Sequence, residues 1–320
     1  MKVLTISVAA YNAEQYIRKT LESLCCQNVS KIEVFVIDDG GSDGTLEIAR
    51  EFEKKYPNSF YAIHKENGGL GSTYNYSIKN GTGKFLKLLD ADDYFDTGEL
   101  DKLIETLEKV DADAIYTPFV IFDDKTGGII DIKDVSKSHK QFELIELLKL
   151  KSYAGLEMHS TTFKLKMLRE SNISILEKCF YTDTEYKTKA LFFSKNILYT
   201  DYLVYHYRMG RDGQSVDIVG LRKHFKECVK VSEELLSFYV NNENSPNSNV
   251  ILYNLNAMLR FTYNTLIKLG NKKEFVSFDK KVRDYKIDDK ITIDRRVKLI
   301  RYSNYFAFDF IRSLLELNGR

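Results

Sequence analysis

The chain has 320 residues with 47 Lys and Arg against 46 Asp and Glu, a net charge of +1 that gives no electrostatic footprint for nucleic acid. Its 43% hydrophobic and 29% charged content describes an ordinary globular protein, long enough for one large core with an appendage or for two domains. Four cysteines, with Cys25 and Cys26 adjacent, make neither a disulfide framework nor a C-x-x-C metal spacing and fit reduced thiols. Val3–Ala10 is expected to open the chain directly as a strand, without a signal peptide, and no uncharged apolar run is long enough for a bilayer. The expected location is the cytoplasm, or the inner face of the cell membrane for a peripheral protein.

In chain order, Val3–Ala10 reads as a buried strand, followed by Tyr11-Asn12 and an amphipathic helix to about Leu24, with Asn12 and Gln15 as the N-cap pair. A second strand, Ile32–Ile37, ends in Asp38-Asp39-Gly40-Gly41-Ser42-Asp43-Gly44-Thr45 and opens a helix over Leu46–Lys55. A third, Phe60–His64, leads into Glu66-Asn67-Gly68-Gly69-Leu70-Gly71-Ser72 and another helix. The fourth strand ends in Asp90-Ala91-Asp92-Asp93, and Asp96 with Glu99 caps a helix over Leu100–Lys109. Asp90 and Asp92, two apart on a strand, point to one side, where a hard divalent cation would relieve their repulsion. A lone D-x-D more often serves a turn or a cap. Here, however, every polar cluster falls at the C-terminal end of a strand, where open parallel sheets bind ligands beside helix N-termini.

Further on, Cys179-Phe180-Tyr181-Thr182-Asp183-Thr184-Glu185 precedes a helix over Glu185–Phe193, which Thr182 or Asp183 could cap. The segment Ile197–Asp201 is followed by Tyr205-His206-Tyr207-Arg208 and a Gly- and Ser-containing stretch, and a mobile loop with Arg208 and Arg211 is expected there. The boundary near residue 217 separates a domain over 1–217, divided at about 96, from a helical region over 218–320. That region holds helices over Val219–Val240, Val250–Leu269 and Arg295–Leu317, with a polar break at 241–249. Residues 271–320 carry 13 Lys and Arg against 8 Asp and Glu. Two readings suit this basic, aromatic tail: contact with an anionic membrane surface, or packing through Leu299, Phe306, Phe310 and Leu314, including at a homo-oligomer interface. The second is preferred.

Ser7-Val8-Ala9-Ala10-Tyr11-Asn12, the Asp38–Thr45 segment, Glu66-Asn67-Gly68-Gly69-Leu70-Gly71 and Leu89-Asp90-Ala91-Asp92-Asp93 together resemble the ordered signatures of family 2 glycosyltransferases. The resemblance covers roughly the first two-thirds of the chain and departs from the usual pattern at Ala9, where the family has Pro. It implies the GT-A fold, an α/β Rossmann-like mixed, mostly parallel sheet flanked by helices. It also implies inverting transfer from a UDP-sugar, hexosyl or N-acetylhexosaminyl, with Mn2+ or Mg2+. Ala10, Tyr11, Asn12 and Asp39 would then meet the uridine, and Asn67 and Gly68 would lie near the nucleotide. Asp90 would contact ribose or a metal-bound water, and Asp92 would bind the metal. Asp183 would be the base, although Thr182 stands where the family has Glu. Arg208 and Arg211 would clamp the leaving UDP, with His206 a further metal ligand or a structural ring. The implied product is a bacterial surface glycan built on a glycan or lipid-linked acceptor. The alternative is a degenerate sugar-nucleotide-binding or assembly subunit. A dehydrogenase would need G-x-G-x-x-G after the first strand, and an aspartyl phosphatase its D-x-D there; neither is present.

Overall fold

Four parallel strands build the nucleotide-side half of the sheet: β1 (Leu4–Ala10), β2 (Ile32–Asp38), β3 (Phe60–His64) and β4 (Phe85–Asp90). The computed structural model describes residues 2–135, 144–150, 152–210 and 218–317. The chain divides into two compact units, Met1–Asp212 and Gly213–Arg320. In the first unit, β6 (Ala114–Tyr116), β9 (Leu144–Glu146), β10 (Thr161–Lys164) and β11 (Asn196–Tyr199) extend the sheet to the order β3-β2-β1-β4-β10-β6-β11-β9. β10 is antiparallel to both β4 and β6, so the sheet is mixed but mostly parallel, the expected class. β1 and β2 are buried at nearly every position, as continuous apolar runs must be when helices cover both faces.

The helices α1 (Glu14–Glu22), α2 (Thr45–Lys55), α3 (Leu70–Asn80) and α4 (Thr97–Lys109) follow β1, β2, β3 and the acidic turn. Each is amphipathic; α1 buries Ile17 and Leu21, a gain of about 1.5–3 kcal/mol per side chain. Asp96 caps α4 as expected, its carboxylate accepting from the Glu99 amide at 2.9 Å. The expected Asn12 cap of α1 is not made. Asn12 has a left-handed backbone (φ 48°) and turns its Oδ1 to the Ser42 amide at 2.9 Å. The start of α1 is served instead from the next loop, where Thr45 Oγ1 accepts from Ala13 N (2.8 Å) and Asp43 from Glu14 N (3.0 Å). Glu14 returns the contact, accepting from Gly44 N at 3.0 Å. The loops after β1 and β2 are thus one hydrogen-bonded body.

A second sheet, β5-β12-β7-β8, was not foreseen. It consists of β5 (Tyr94–Phe95), β7 (Phe119–Asp123), β8 (Ile129–Lys133) and β12 (Tyr205–Met209). Tyr205 pairs with Phe95 and His206 with Tyr94, so β12 is laid directly beside the acidic turn. Arg208 therefore stands in a strand rather than in the expected loop, and Arg211 lies outside the described residues. Two more helices complete the unit, α5 (Leu165–Glu170) and α6 (Thr182–Phe193).

The second unit is helical: α7 (Ile218–Asn241), α8 (Ser248–Lys268), α9 (Lys272–Asp284), α10 (Arg295–Tyr302) and α11 (Phe308–Leu317). α9 was not anticipated, and the single helix expected over Arg295–Leu317 is two. The break has a local cause: Asn304 and Tyr305 take positive φ of 50° and 67°, and Tyr305 N donates back to Ile300 O, closing α10 with a Schellman-type cap. Tyr305 then gives its hydroxyl to the buried Asp279 (2.9 Å), which also accepts from Tyr263 Oη (2.7 Å) and Arg301 Nε (2.8 Å). The break resets the helical phase. Val297, Ile300, Phe308 and Ile311 are buried, while the side chains expected to pack, Leu299, Phe306, Phe310 and Leu314, are exposed.

Candidate functional site

The strand order changes direction at β1, with β2 on one side and β4 on the other, and the loops after β1 and β4 flank the switch point at which an open α/β sheet has its binding crevice. Register places the sequence clusters at its edge: Ala10 lies opposite Asp38 and Ala9 opposite Asp90. Ala10 is buried, whereas Tyr11 is 58% exposed with its ring open to a ligand. The backbone of Asp39 donates to Ala10 O at 2.8 Å and holds the two loops in step.

The Asp39 carboxylate is already engaged. It accepts from the amides of Gly68 (2.9 Å) and Gly69 (2.7 Å) and from Lys65 Nζ (2.5 Å), while Asn67 Nδ2 donates to the Asp39 carbonyl at 2.8 Å. Asp39, Asn67 and Gly68 therefore form one scaffold across the ends of β2 and β3. Asp39→Ala is expected to lose about 1–3 kcal/mol of stability, because those buried donors lose their acceptor. It should also lose preference for uridine over cytidine nucleotides if the carboxylate reads the uracil imide N–H. Thermal melts paired with UDP and CDP titrations check both effects.

The glycines that follow serve close packing. A Cβ on Gly71 would stand 2.0 Å from Leu176 O, and one on Gly69 would meet the backbone of Lys178 and Cys179 at 3.1–3.2 Å. Lys178 N donates to Gly68 O at 2.5 Å, and Asn75 binds both polar backbone atoms of Ile175. The chain before α6 is thereby clamped to α3, and Asp183, in the first turn of α6, is carried to the crevice. Thr182 and Asp183 both lie inside the helix, whose N-cap is Tyr181 in a left-handed conformation (φ 63°). Asp183 is half-buried on the surface of the cleft, and loss of water raises its pKa above the ordinary carboxylate value. Lys187, one turn along the helix, opposes that rise and Glu157 adds to it; Lys187 and Glu157 form an ion pair.

Around the acidic turn, Asp93 is the buried member. Its carboxylate accepts from Tyr205 Oη (2.6 Å) and Arg208 N (2.8 Å), and burial followed by the charges of Asp92 and Asp90 pushes its pKa up. Tyr205 Oη in turn accepts from Asp90 N at 3.2 Å. Among the described residues, Asp90, Asp93 and His159 form the group spaced to hold a metal ion, with ligand atoms all within 4.8 Å of one another. His159 Nδ1 is buried with no hydrogen-bond partner, and burial with the charges of Lys87 and Lys187 depresses its pKa to about 3. A neutral imidazole with a free lone pair beside two carboxylates fits a divalent cation. Lys87 lies beneath, fully buried with its pKa lowered to about 7 by that burial, and donates to His159 O at 3.0 Å.

Alternation along β12 sorts the remaining candidates. Tyr205 and Tyr207 face His159, with ring centroids 4.9 and 4.5 Å from it. His206 and Arg208 face the other way. His206 stacks on Tyr94 at 4.7 Å and is not brought into the aspartate group. Arg208 is nearly buried over Tyr16 and Phe122; its Nε donates to the Asp92 carbonyl at 2.6 Å, and it pairs with Asp124. In this arrangement it braces the acidic turn. Asp92 is half-buried in the turn beside the metal-spaced group. Tyr74 and Tyr207 each feel the negative charges of both Asp90 and Asp183, so Asp183 and the acidic turn share neighbours across the crevice. His159, Tyr74, Glu157 and Lys187 carried no motif. Tyr207 could have been found from the two-residue period of Tyr205-His206-Tyr207-Arg208.

The model of glycosyl transferase family 2 matches residues 5–173. Among curated proteins, EpsH of Bacillus subtilis (strain 168) is 29% identical over 219 residues, 64% of this chain and 60% of that protein. The minor teichoic acid biosynthesis protein GgaB of the same organism is 23% identical over 313 residues, 91% of this chain but 33% of that protein. The chain thus spans less than two-thirds of either relative. The crystal structure of S. aureus TarS 1-349 in complex with UDP-GlcNAc superposes with a TM-score of 0.73 at 20% identity, covering 100% of this chain and 93% of that one, a likeness of fold.

Proposed function

The chain belongs to glycosyl transferase family 2 and has the GT-A fold, and from that premise we propose that it is an inverting, metal-dependent glycosyltransferase acting on a UDP-sugar. The acceptor is a hydroxyl of a bacterial cell-surface glycan or of its lipid-linked precursor, and the group moved is hexosyl or N-acetylhexosaminyl. The single observation that carries this reading is the sharing of Tyr74 and Tyr207 by Asp183 and Asp90. It supports a candidate base close to a candidate diphosphate site. The UDP-GlcNAc held by TarS supports the donor class, and the teichoic acid assignment of GgaB supports the acceptor class. The catalytic domain is residues 1–217, with the donor side before about residue 96 and the acceptor side after it, and 218–320 is its helical appendage.

Asp183, as the carboxylate, takes the proton of the acceptor hydroxyl while that oxygen attacks the anomeric carbon from the face opposite UDP. The new C–O bond forms as the bond to the diphosphate oxygen breaks, UDP leaves with the electron pair, and the configuration inverts. Tyr11 stacks beside the uracil and Asn12, Asp39, Asn67 and Gly68 shape its pocket. Asp90, Asp93 and His159, with Asp92 adjoining, would hold Mn2+ or Mg2+, which would supply positive charge for the departing diphosphate. Arg208 keeps the acidic turn in place, and Arg211 is the second candidate for the leaving charge.

Incubation with a panel of UDP-sugars, with Mn2+ or with a chelator, tests the reading through release of UDP. One sugar should give metal-dependent release, and Asp92→Asn should weaken metal-dependent UDP binding severely with the fold intact. UDP binding without turnover of any UDP-sugar, in the presence of acceptor glycans, would make the chain a sugar-nucleotide-binding subunit instead.

A further inference from the structure

The C-terminal helices turn their largest apolar side chains outward. Tyr302 is 89% and Phe306 82% exposed, more than any other large apolar residue described, and Leu299, Phe310 and Leu314 join them. None is needed to hold the helices down. That work falls to Val297, Ile300, Phe308 and Ile311, to the Phe275–Phe308 ring contact at 5.2 Å and to the three donors on Asp279. An outward aromatic set that the fold does not use marks an interaction surface.

Charge selects the partner. On α10, Arg295, Lys298, Leu299 and Tyr302 are spaced i, i+3, i+4 and i+7, so the exposed apolar residues share their face with two exposed cations. Neither cation is in an ion pair among the described residues, in contrast to Arg296 and Arg301. The whole segment 271–320 holds the 13 Lys and Arg against 8 acids, in a chain whose net charge is only +1. A second copy docked through a two-fold axis would set this basic face against itself. An anionic surface complements it.

We propose that α10, α11 and the turn between them rest on the anionic surface of a lipid bilayer. Tyr302, Phe306 and Phe310 enter the headgroup region, and Arg295 and Lys298 meet lipid phosphates. The contact lies on the surface only, since no described helix is long and apolar enough to cross a membrane. Unlike the catalytic reading, it makes no use of nucleotide.

The test is sedimentation of the full chain, without nucleotide, on phosphatidylcholine vesicles with or without about 30% phosphatidylglycerol. Binding is expected on the anionic vesicles alone and should fade toward about 0.5 M salt. Arg295→Gln and Lys298→Gln should each weaken it about fivefold, since one cation near the surface contributes about 1 kcal/mol. Phe306→Ser with Phe310→Ser should remove most of the remainder at an unchanged melting temperature. Equal binding to neutral vesicles, or no binding to either, overturns the proposal. So does a concentration-dependent dimer that the Phe306→Ser, Phe310→Ser variant abolishes, which would make the partner a second copy.

Discussion

Asp183→Asn is expected to lose sugar transfer by about 10²-fold or more while UDP affinity stays near that of the unaltered chain. The substitution keeps the size of the side chain and removes only its capacity to take a proton. In the proposed arrangement the donor is held by other residues, at the ends of β1, β2 and β3. The pH profile should carry the same signature. Burial holds the Asp183 pKa above the ordinary carboxylate value, and the base works only when ionised, so transfer should fall as pH drops through that raised value. Lys187 opposes the rise, so Lys187→Met should move the acid limb to higher pH. Near-normal transfer by Asp183→Asn, measured by product formation under donor saturation, would leave the carboxylate as an ordinary first-turn acid favoured by the helix dipole.

Gly71→Ala should be nearly as damaging although residue 71 is not among the candidate site residues. A methyl group there would stand 2.0 Å from Leu176 O, which is backbone and cannot rotate away. Relief requires α3 and the 175–179 segment to part, at about 1–3 kcal/mol of stability. That segment is also tied by Glu185, which accepts from Leu176 N at 3.0 Å, so the start of α6 would move with it. A displacement of about 1 Å at a reacting group can cost about 10²-fold in rate. The expected pattern is a lowered melting temperature, reduced transfer and a smaller loss of UDP affinity. Full transfer in a stable Gly71→Ala protein would show that the clamp between α3 and the α6 segment does not position Asp183.

The parallel half of the fold was legible because its signals are local. Buried strands read as apolar runs, and loops read as clusters of Asp, Asn, Ser and Gly; Phe60–His64 was placed to the residue. Asp96 capped its helix because an Asp followed three residues later by Glu needs nothing beyond the chain itself. Asn12 did not cap α1, because its side chain is turned to the Ser42 amide while Asp43 and Thr45 from the neighbouring loop take the Glu14 and Ala13 amides. The C-terminal helix broke because two residues took left-handed backbones that no glycine or proline announced, and the break reversed which apolar side chains are buried.

By its sequence alone the chain determined that its acidic and glycine-rich clusters end successive strands, and so that they meet at one edge of a doubly wound sheet. Strand direction and the two-residue period require that much. Which side chains then touch was decided only by the tertiary structure. His159 comes to Asp90 and Asp93 from a loop before β10, far away in the chain and outside any motif. His206, beside a recognisable Tyr and Arg, is turned to the opposite face by the alternation of β12. Asp183 reaches the crevice because Gly69 and Gly71 let another segment's backbone approach to where a Cβ would stand 3.1 Å and 2.0 Å from it. Such contacts depend on packing between segments a hundred residues apart, and sequence spacing carries no trace of them.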